Sequence, residues 1–299
     1  MKRSNFIKKF LIFASILLSV NSPINAKEEI LKIGAIPDQN QEILDRRFKL
    51  LSKELSKTLK VKVRYIPVIN YVGAISAFRT KGLDLAWFGG LSGVQARLQT
   101  PNSIVIAQRE IDKRFKSVFI LNRNINLNKT DNIKDLKSLA DLRFTFGSEN
   151  STSGRLMPEY FLNIAGVEIT DFKYRRVGFS GSHDATIALV NSGTFEAGAL
   201  NKQVWDRNLK NNTKRVENVK IFFITPEYSD YHWLAQGYLD KKFYKGFTDK
   251  LKAKIINLNI NIPEEKKILE MFNTQKFIES DVTQYEKIES IGRKLNKIR

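Results

Sequence analysis

The chain of 299 residues contains no cysteine. Disulfides, thiolate metal sites and a lipid-modified cysteine near its N-terminal end are therefore excluded. Only two histidines are present, which with no thiols argues against a catalytic zinc site. Neither GxxxxGK[ST] nor GxGxxG occurs, so no nucleotide-cradling loop is expected. After the first 26 residues no run is apolar enough to span a bilayer. Acids are scarce relative to bases, 31 against 50, for a net charge of +19. Such a balance suits an anionic partner. No zinc spacing, homeodomain-like pattern or RNA-recognition signature accompanies it, so nucleic acid is not expected. The lysines fall along helix faces, as at Lys49, Lys53 and Lys57, which also fits a solvated surface.

What is present begins with an export signal. Met1-Lys2-Arg3 and Lys8-Lys9 make a basic start, residues 10–20 are apolar, and Pro23-Ile24-Asn25-Ala26 ends on a small residue. That is the layout of a secretory signal peptide cleaved near Ala26. Its apolar stretch is shorter than the ~20 residues of a membrane span. The expected product is a soluble periplasmic protein. Removing 26 of the 299 residues leaves 273, and the four basic residues lost leave 46 against 31 acids, a net +15.

The rest alternates strand and helix. LKIGAI (31–36), VKVRYIPV (61–68), LDLAWF (83–88), 103–108 and 117–121 read as strands, with helices over 41–59, 71–80 and 91–98 between the earlier ones. A second series follows: LRFTF as strand, a helix after Gly154, DFKYRRV as strand, a helix in SHDATIALVNSG, FEAGAL as strand, and a helix from about Asn201. Alternation of this kind predicts an α/β fold with mostly parallel sheets flanked by helices. AISAFRTKGLDLAWF and TIALVNSGTFEAGAL share one pattern, which predicts two lobes of like construction. The expected division is a signal peptide at 1–26, the first part of lobe one at 27–117, lobe two at 118–222, and a return to lobe one at 223–299. Two short crossings favour a hinge.

In open parallel sheets ligands lie beyond the carboxyl ends of strands. Four turns fall there: Pro37-Asp38-Gln39, Gly89-Gly90-Leu91-Ser92, Ser151-Thr152-Ser153-Gly154 and Leu200-Asn201. Each opens a helix, so each turns backbone donors and a positive dipole end toward the cleft. One hydroxyl suffices to cap a helix. Ser151, Thr152 and Ser153 supply three, which suggests an anion as the guest; a simple capped helix is the alternative. His183 stands in the first turn of the next helix, where a neutral imidazole could donate to an oxyanion; a buried structural histidine is the alternative. His232, in Tyr231-His232-Trp233, reads as structural. Trp87 and Phe88 end a strand, and one of the two belongs to the core. The other could wall the cleft beside Gly90. Tyr71 opens a helix after Asn70 and could reach across. A carboxylate beside an anion is costly unless a proton lies between them. If Asp38 or Asp184 faces the site, the ligand should therefore be protonatable, which selects against sulfate.

Taken together, IGAIPDQN, WFGGLSGVQAR, NSTSG and GSHDA resemble the phosphate/phosphite/phosphonate periplasmic-binding family, the solute-binding components of ABC transporters. The resemblance runs through nearly the whole mature chain in the same order. It implies a two-lobed (type II-like) binding protein without cofactor or enzymatic activity. Expected partners are a small oxyanion and an inner-membrane permease, and the expected state is monomeric. The family's oxygen-holding residues fall here on Ser151, Thr152, Ser153 and His183, and a family tyrosine on Tyr71. The acids that hold an amine in aminoalkylphosphonate binders have no counterpart in Gly198-Ala199-Leu200-Asn201, which favours phosphite or methylphosphonate. Phosphate or selenate is the alternative ligand within the family.

From a different class, a secreted ester hydrolase remains, because Ser, His and Asp are all present. Its sequence support is thin: Gly178-Phe179-Ser180-Gly181-Ser182 lacks the last glycine of a nucleophile elbow.

Overall fold

The structure, a computed structural model, describes residues 28–298. The export signal lies outside the described residues. Among those described, no helix is long and apolar enough to cross a membrane.

The first series is β1 (Ile30–Ala35), α1 (Gln41–Leu59), β2 (Lys62–Tyr65), α2 (Tyr71–Arg79), β3 (Leu85–Phe88), α3 (Gly90–Leu98) and β4 (Ile104–Arg109). The second is β5 (Ser117–Asn122), β6 (Phe144–Phe146), α4 (Met157–Ile164), β7 (Gly178–Phe179), α5 (His183–Asn191), β8 (Ala197–Asn201), α6 (Lys202–Asn211) and β9 (Val219–Ile224). The chain then adds β10 (His232–Ala235), α7 (Leu239–Lys242), α8 (Phe247–Ile256), α9 (Pro263–Met271), β11 (Phe277–Ile278) and α10 (Glu286–Lys294).

Local chemistry explains the main boundaries. Asn40 caps α1 by accepting from the Glu42 amide at 2.9 Å, and Leu44, Phe48, Leu51, Leu55 and Leu59 put one buried stripe on that helix. Asn70, Ser182 and Asn201 cap α2, α5 and α6 in the same way. β2 stops at Tyr65, short of the expected 68, just before Pro67, which has no amide for the ladder. DFKYRRV is not a strand. Asp171 accepts from the Glu168 amide at 2.8 Å, and Tyr174 and Arg175 take left-handed backbone angles (φ 60° and 55°). These local turns replace extended pairing, and only Gly178–Phe179 joins a sheet.

Two sheets form, in the orders β11-β4-β10-β3-β1-β2 and β7-β6-β8-β5-β9. Both are mixed. β1, β2 and β3 run parallel, as do β6, β7 and β8. Where the chain crosses between sheets the strands reverse: β10 lies antiparallel to both β3 and β4, and β5 antiparallel to both β8 and β9. The crossings are residues 110–116 and 225–231, and they run side by side. Phe115 and Tyr228 exchange backbone hydrogen bonds of 2.8 and 3.0 Å, and the Asp230 amide donates to the Asp112 carbonyl at 3.0 Å. The C-terminal segment is fastened to the first sheet through buried Asp84, which accepts from Lys32 N, Tyr238 Oη and Lys242 Nζ at 2.7–2.9 Å.

His232, the first residue of β10, is packed by α3 and by the Tyr285 ring, 4.1 Å between centroids. Burial holds its pKa down at about 3, so it is neutral. A Cβ on Gly93 would fall 2.2 Å from its Cε1 and Nε2. Gly93→Ala is therefore expected to destabilise the fold by about 1–3 kcal/mol through overpacking. Thermal unfolding checks this; a midpoint equal to wild type would show that the ring has room to move.

Candidate functional site

Helix-opening turns from both sheets meet in one buried cluster. The serine-rich run does not begin an ordinary α-helix. Ser151 caps it by accepting from Gly154 N at 2.9 Å, and residues Thr152–Leu156 form a single π-turn ahead of α4. Such wide turns collect at functional positions. Gly154 is required by the close approach: a Cβ there would lie 3.2 Å from both the Gly147 Cα and the His183 Cε1.

All three hydroxyl residues are buried and engaged. The Ser151 hydroxyl meets the phenol of Tyr71, the first residue of α2. Thr152 Oγ1 accepts from the Leu91 amide of α3 at 2.9 Å and also meets Asp230. The Ser153 side chain meets Tyr228 Oη, and its carbonyl accepts from Ser117 Oγ at 2.7 Å. The Gly90 amide donates to Asp230 Oδ1 at 2.8 Å. Burial pushes the phenol pKa values of Tyr71, Tyr228 and Tyr231 well up, so all three stay protonated donors.

His183 sits at the start of α5 with its amide bonded to the Asp38 carbonyl at 3.1 Å. Burial lowers its pKa, so the ring is neutral. Its Nδ1 accepts from the Asn201 amide at 3.4 Å, which assigns the proton to Nε2. That nitrogen is 3.5 Å from Tyr231 Oη. Asn201 spends its carbonyl on the α6 cap and aims Nδ2 at Tyr231 Oη, 3.3 Å away. Tyr231 Oη in turn donates to Asp38 Oδ2 at 2.8 Å.

Nine of the ten residues expected from the sequence are thus brought together. Trp87 joins by stacking on Tyr231, 5.5 Å between centroids and 17° between planes. Phe88 does not join. Strand alternation turns it to the other face, edge-on to Phe78 in the core.

Asp230 and Tyr231 were not expected. They reach the site because β10 is antiparallel to β3, which brings its N-terminal end to the carboxyl end of β3. An acid–aromatic pair just before a buried return strand was the available signal.

The electrostatics are unusual. Two buried carboxylates face the cluster, and each keeps one oxygen without a partner, Asp38 Oδ1 and Asp230 Oδ2. Burial pushes the Asp230 pKa up to about 7, against the pull of the Gly90 amide and Thr152. The remaining groups are neutral donors. The His183 nitrogens face Asn201 and Tyr231, and Ser180 Oγ bonds Thr186 and the Ser182 carbonyl, so these two do not pair as nucleophile and base. Among the described residues no cluster of His, Cys, Asp and Glu could hold a metal ion.

Residues 33–285 match the family described as ABC transporter, phosphonate, periplasmic substrate-binding protein. The chain is 67% identical over 294 residues to a probable ABC transporter phosphite binding protein, PhnD1, of Prochlorococcus marinus (strain MIT 9301), covering 98% of this chain and 99% of the relative. It is 27% identical over 270 residues to the phosphonates-binding periplasmic protein of Escherichia coli, covering 87% of this chain and 76% of that one. A solved structure of PhnD1 from P. marinus in complex with methylphosphonate superposes with a TM-score of 0.90 at 69% identity, over 91% of this chain and all of that one. A binding protein component of an ABC phosphonate transporter from Pseudomonas aeruginosa superposes at 0.77 with 21% identity, over 88% and 85% of the two chains, and bears on the fold alone. With that family matched along most of its length and two-thirds of its residues shared with one relative, the chain belongs to the periplasmic phosphonate substrate-binding proteins of ABC transporters.

Proposed function

We propose that this protein captures phosphite or methylphosphonate between its two lobes and delivers it, as a monomer, to an inner-membrane permease. The observation that carries the reading is the pairing of neutral donors with two carboxylates that each present an unpartnered oxygen. An anion can sit against such a carboxylate only when a proton is shared between them. Phosphorus oxyanions supply that proton at neutral pH and sulfate does not. The relative crystallised with methylphosphonate supports the same class.

In this reading Ser151, Thr152, Ser153 and the Nε2–H of His183 hold the oxygens from the second lobe. Asn201 orients His183 and Tyr231. Tyr71, the Gly90 turn, Asp38 and Asp230 close from the first lobe and the crossing. The stacked rings of Trp87 and Tyr231 give an apolar wall for P–H or P–CH3. A hydroxyl against that wall goes unpaired, a loss of about 1–3 kcal/mol, or roughly a 5- to 150-fold preference against phosphate. Titration calorimetry with phosphite, methylphosphonate, phosphate, sulfate and selenate tests this. One-to-one binding of phosphite or methylphosphonate, with sulfate and selenate silent, is expected. Equal affinity for phosphite and phosphate would remove the apolar wall, and heat from selenate or sulfate alone would remove the shared proton.

A further inference from the structure

α1 buries a stripe of leucines and Phe48 against the first sheet, and within that stripe it also buries an arginine. Arg47 is only 4% exposed. Its guanidinium lies 5.0 Å from the centre of the Phe272 ring. Its Nε has no hydrogen-bond partner, and no carboxylate comes within ion-pairing distance among the described residues. A buried charge left in this state is expensive. Burial brings its pKa down to about 10, so it still carries its proton at neutral pH, and Asp38 is the charge that most favours keeping it.

Arg47 lines a cavity of about 20 Å³ whose other walls include Asp38, Trp87, Asn201 and Tyr231, four residues of the candidate site. Two further arginines line it, and both are already matched. Arg109 is held by Asp112 at 2.6 and 2.8 Å and by the Phe272 carbonyl at 2.8 Å. Arg207 lies 3.5 Å from Asp184 and bonds Gln39. Arg47 is therefore the cation at this wall without a carboxylate of its own. Asp38 lines the same cavity as Arg47, and together with Asp230 it brings negative charge to a cluster whose other groups are neutral donors.

We infer that Arg47 is the counter-charge of the site, a specificity-determining residue that balances Asp38 across this cavity and lets an oxyanion bind without itself touching the ligand. The inference rests on the oxyanion-binding reading above. The helix gives up the stability that an apolar residue would bring, and the site gains a positive potential that no hydroxyl supplies. The same potential opposes a ligand carrying an ammonium group.

Arg47→Met keeps a long side chain against Phe272 and removes the charge; Arg47→Lys keeps the charge and changes the shape. Each is titrated with methylphosphonate beside wild type, and its thermal unfolding is followed without ligand. The expected result is binding weaker by about tenfold in Arg47→Met and within about threefold of wild type in Arg47→Lys. The unfolding midpoint of Arg47→Met should be equal to or above that of wild type, because a buried charge has been replaced by an apolar group. A purely structural arginine would lower the midpoint and leave affinity alone. Wild-type affinity in Arg47→Met overturns the inference, and so does an equal loss in both variants. If Arg47→Met does not fold, the lysine variant decides: a loss beyond tenfold overturns the inference. Wild-type protein that binds none of the anions overturns the binding reading itself, whatever the variants do.

Discussion

Thr152→Val is expected to weaken methylphosphonate binding by about 100-fold while leaving the unfolding midpoint of the ligand-free protein nearly unchanged. The hydroxyl has two partners, the Leu91 amide at 2.9 Å and Asp230, and both lie outside its own sheet. Valine fills nearly the same space, so packing within the second lobe survives. What is lost is a buried amide's acceptor and the hydroxyl's single proton, which goes to Asp230 or, in the proposed complex, to a ligand oxygen; each is worth about 1–3 kcal/mol when left unpaired. These bonds join α3 to the π-turn, so the loss falls on the closed arrangement and not on the fold of either lobe. Thr152→Ser restores the hydroxyl and should recover most of the affinity. Calorimetry on the pair decides the matter: valine within threefold of wild type would mean that the contact with Leu91 does not hold the lobes together.

The second large effect is on pH dependence. The Asp230 pKa is raised by burial to about 7. A raised carboxyl pKa makes the protonated form the favoured one, so its contribution is complete at low pH and is lost as pH rises through about 7. In the proposed complex Asp230 Oδ2 would carry a proton or share one with the anion below that point; above it, two negative groups would face one another. Affinity is expected to fall by up to about tenfold for each pH unit above 7. Asp230→Asn retains an acceptor for the Gly90 amide and cannot titrate. The ratio of wild-type to variant affinity should therefore drop about 100-fold between pH 7 and pH 9. The ligand's own ionisation is common to both proteins and cancels in that ratio. Parallel profiles would show that Asp230 shares no proton with the ligand.

Much of this architecture was legible in the residues. The leucine stripe of α1, the alternation of strands with helices, and the hydroxyl run before α4 all follow from periodicity and capping chemistry, and the structure places them as expected. What escaped shares one cause: partners distant in sequence. β10 is four residues, all buried, with no alternation to give its direction. A reading based on the carboxyl ends of parallel strands could not place Asp230 and Tyr231, which arrive at the N-terminal end of an antiparallel one. Arg46 and Arg47 are adjacent and chemically identical, yet one is exposed and the other buried. Composition reads both as solvated charge. At Trp87-Phe88 alternation already put one of the two in the core, and the structure puts Phe88 there.

The cluster divides unevenly between the sheets. Ser151, Thr152, Ser153, His183 and Asn201 belong to the second, and they are neutral donors. Asp38 lies on the first, and Asp230, on the crossing, is bonded to the Gly90 amide of that same lobe. On the proposed function an arriving anion meets one half made of neutral donors and another that carries both carboxylates, of which Asp230 has no arginine bonded to it among the described residues. That same reading predicts an order of events, with the anion docking on the second lobe first and the acids closing on it afterward. Association rates should then respond to changes at His183 and the serines, whereas changes at Asp230 and Thr152 should appear in the rate of escape.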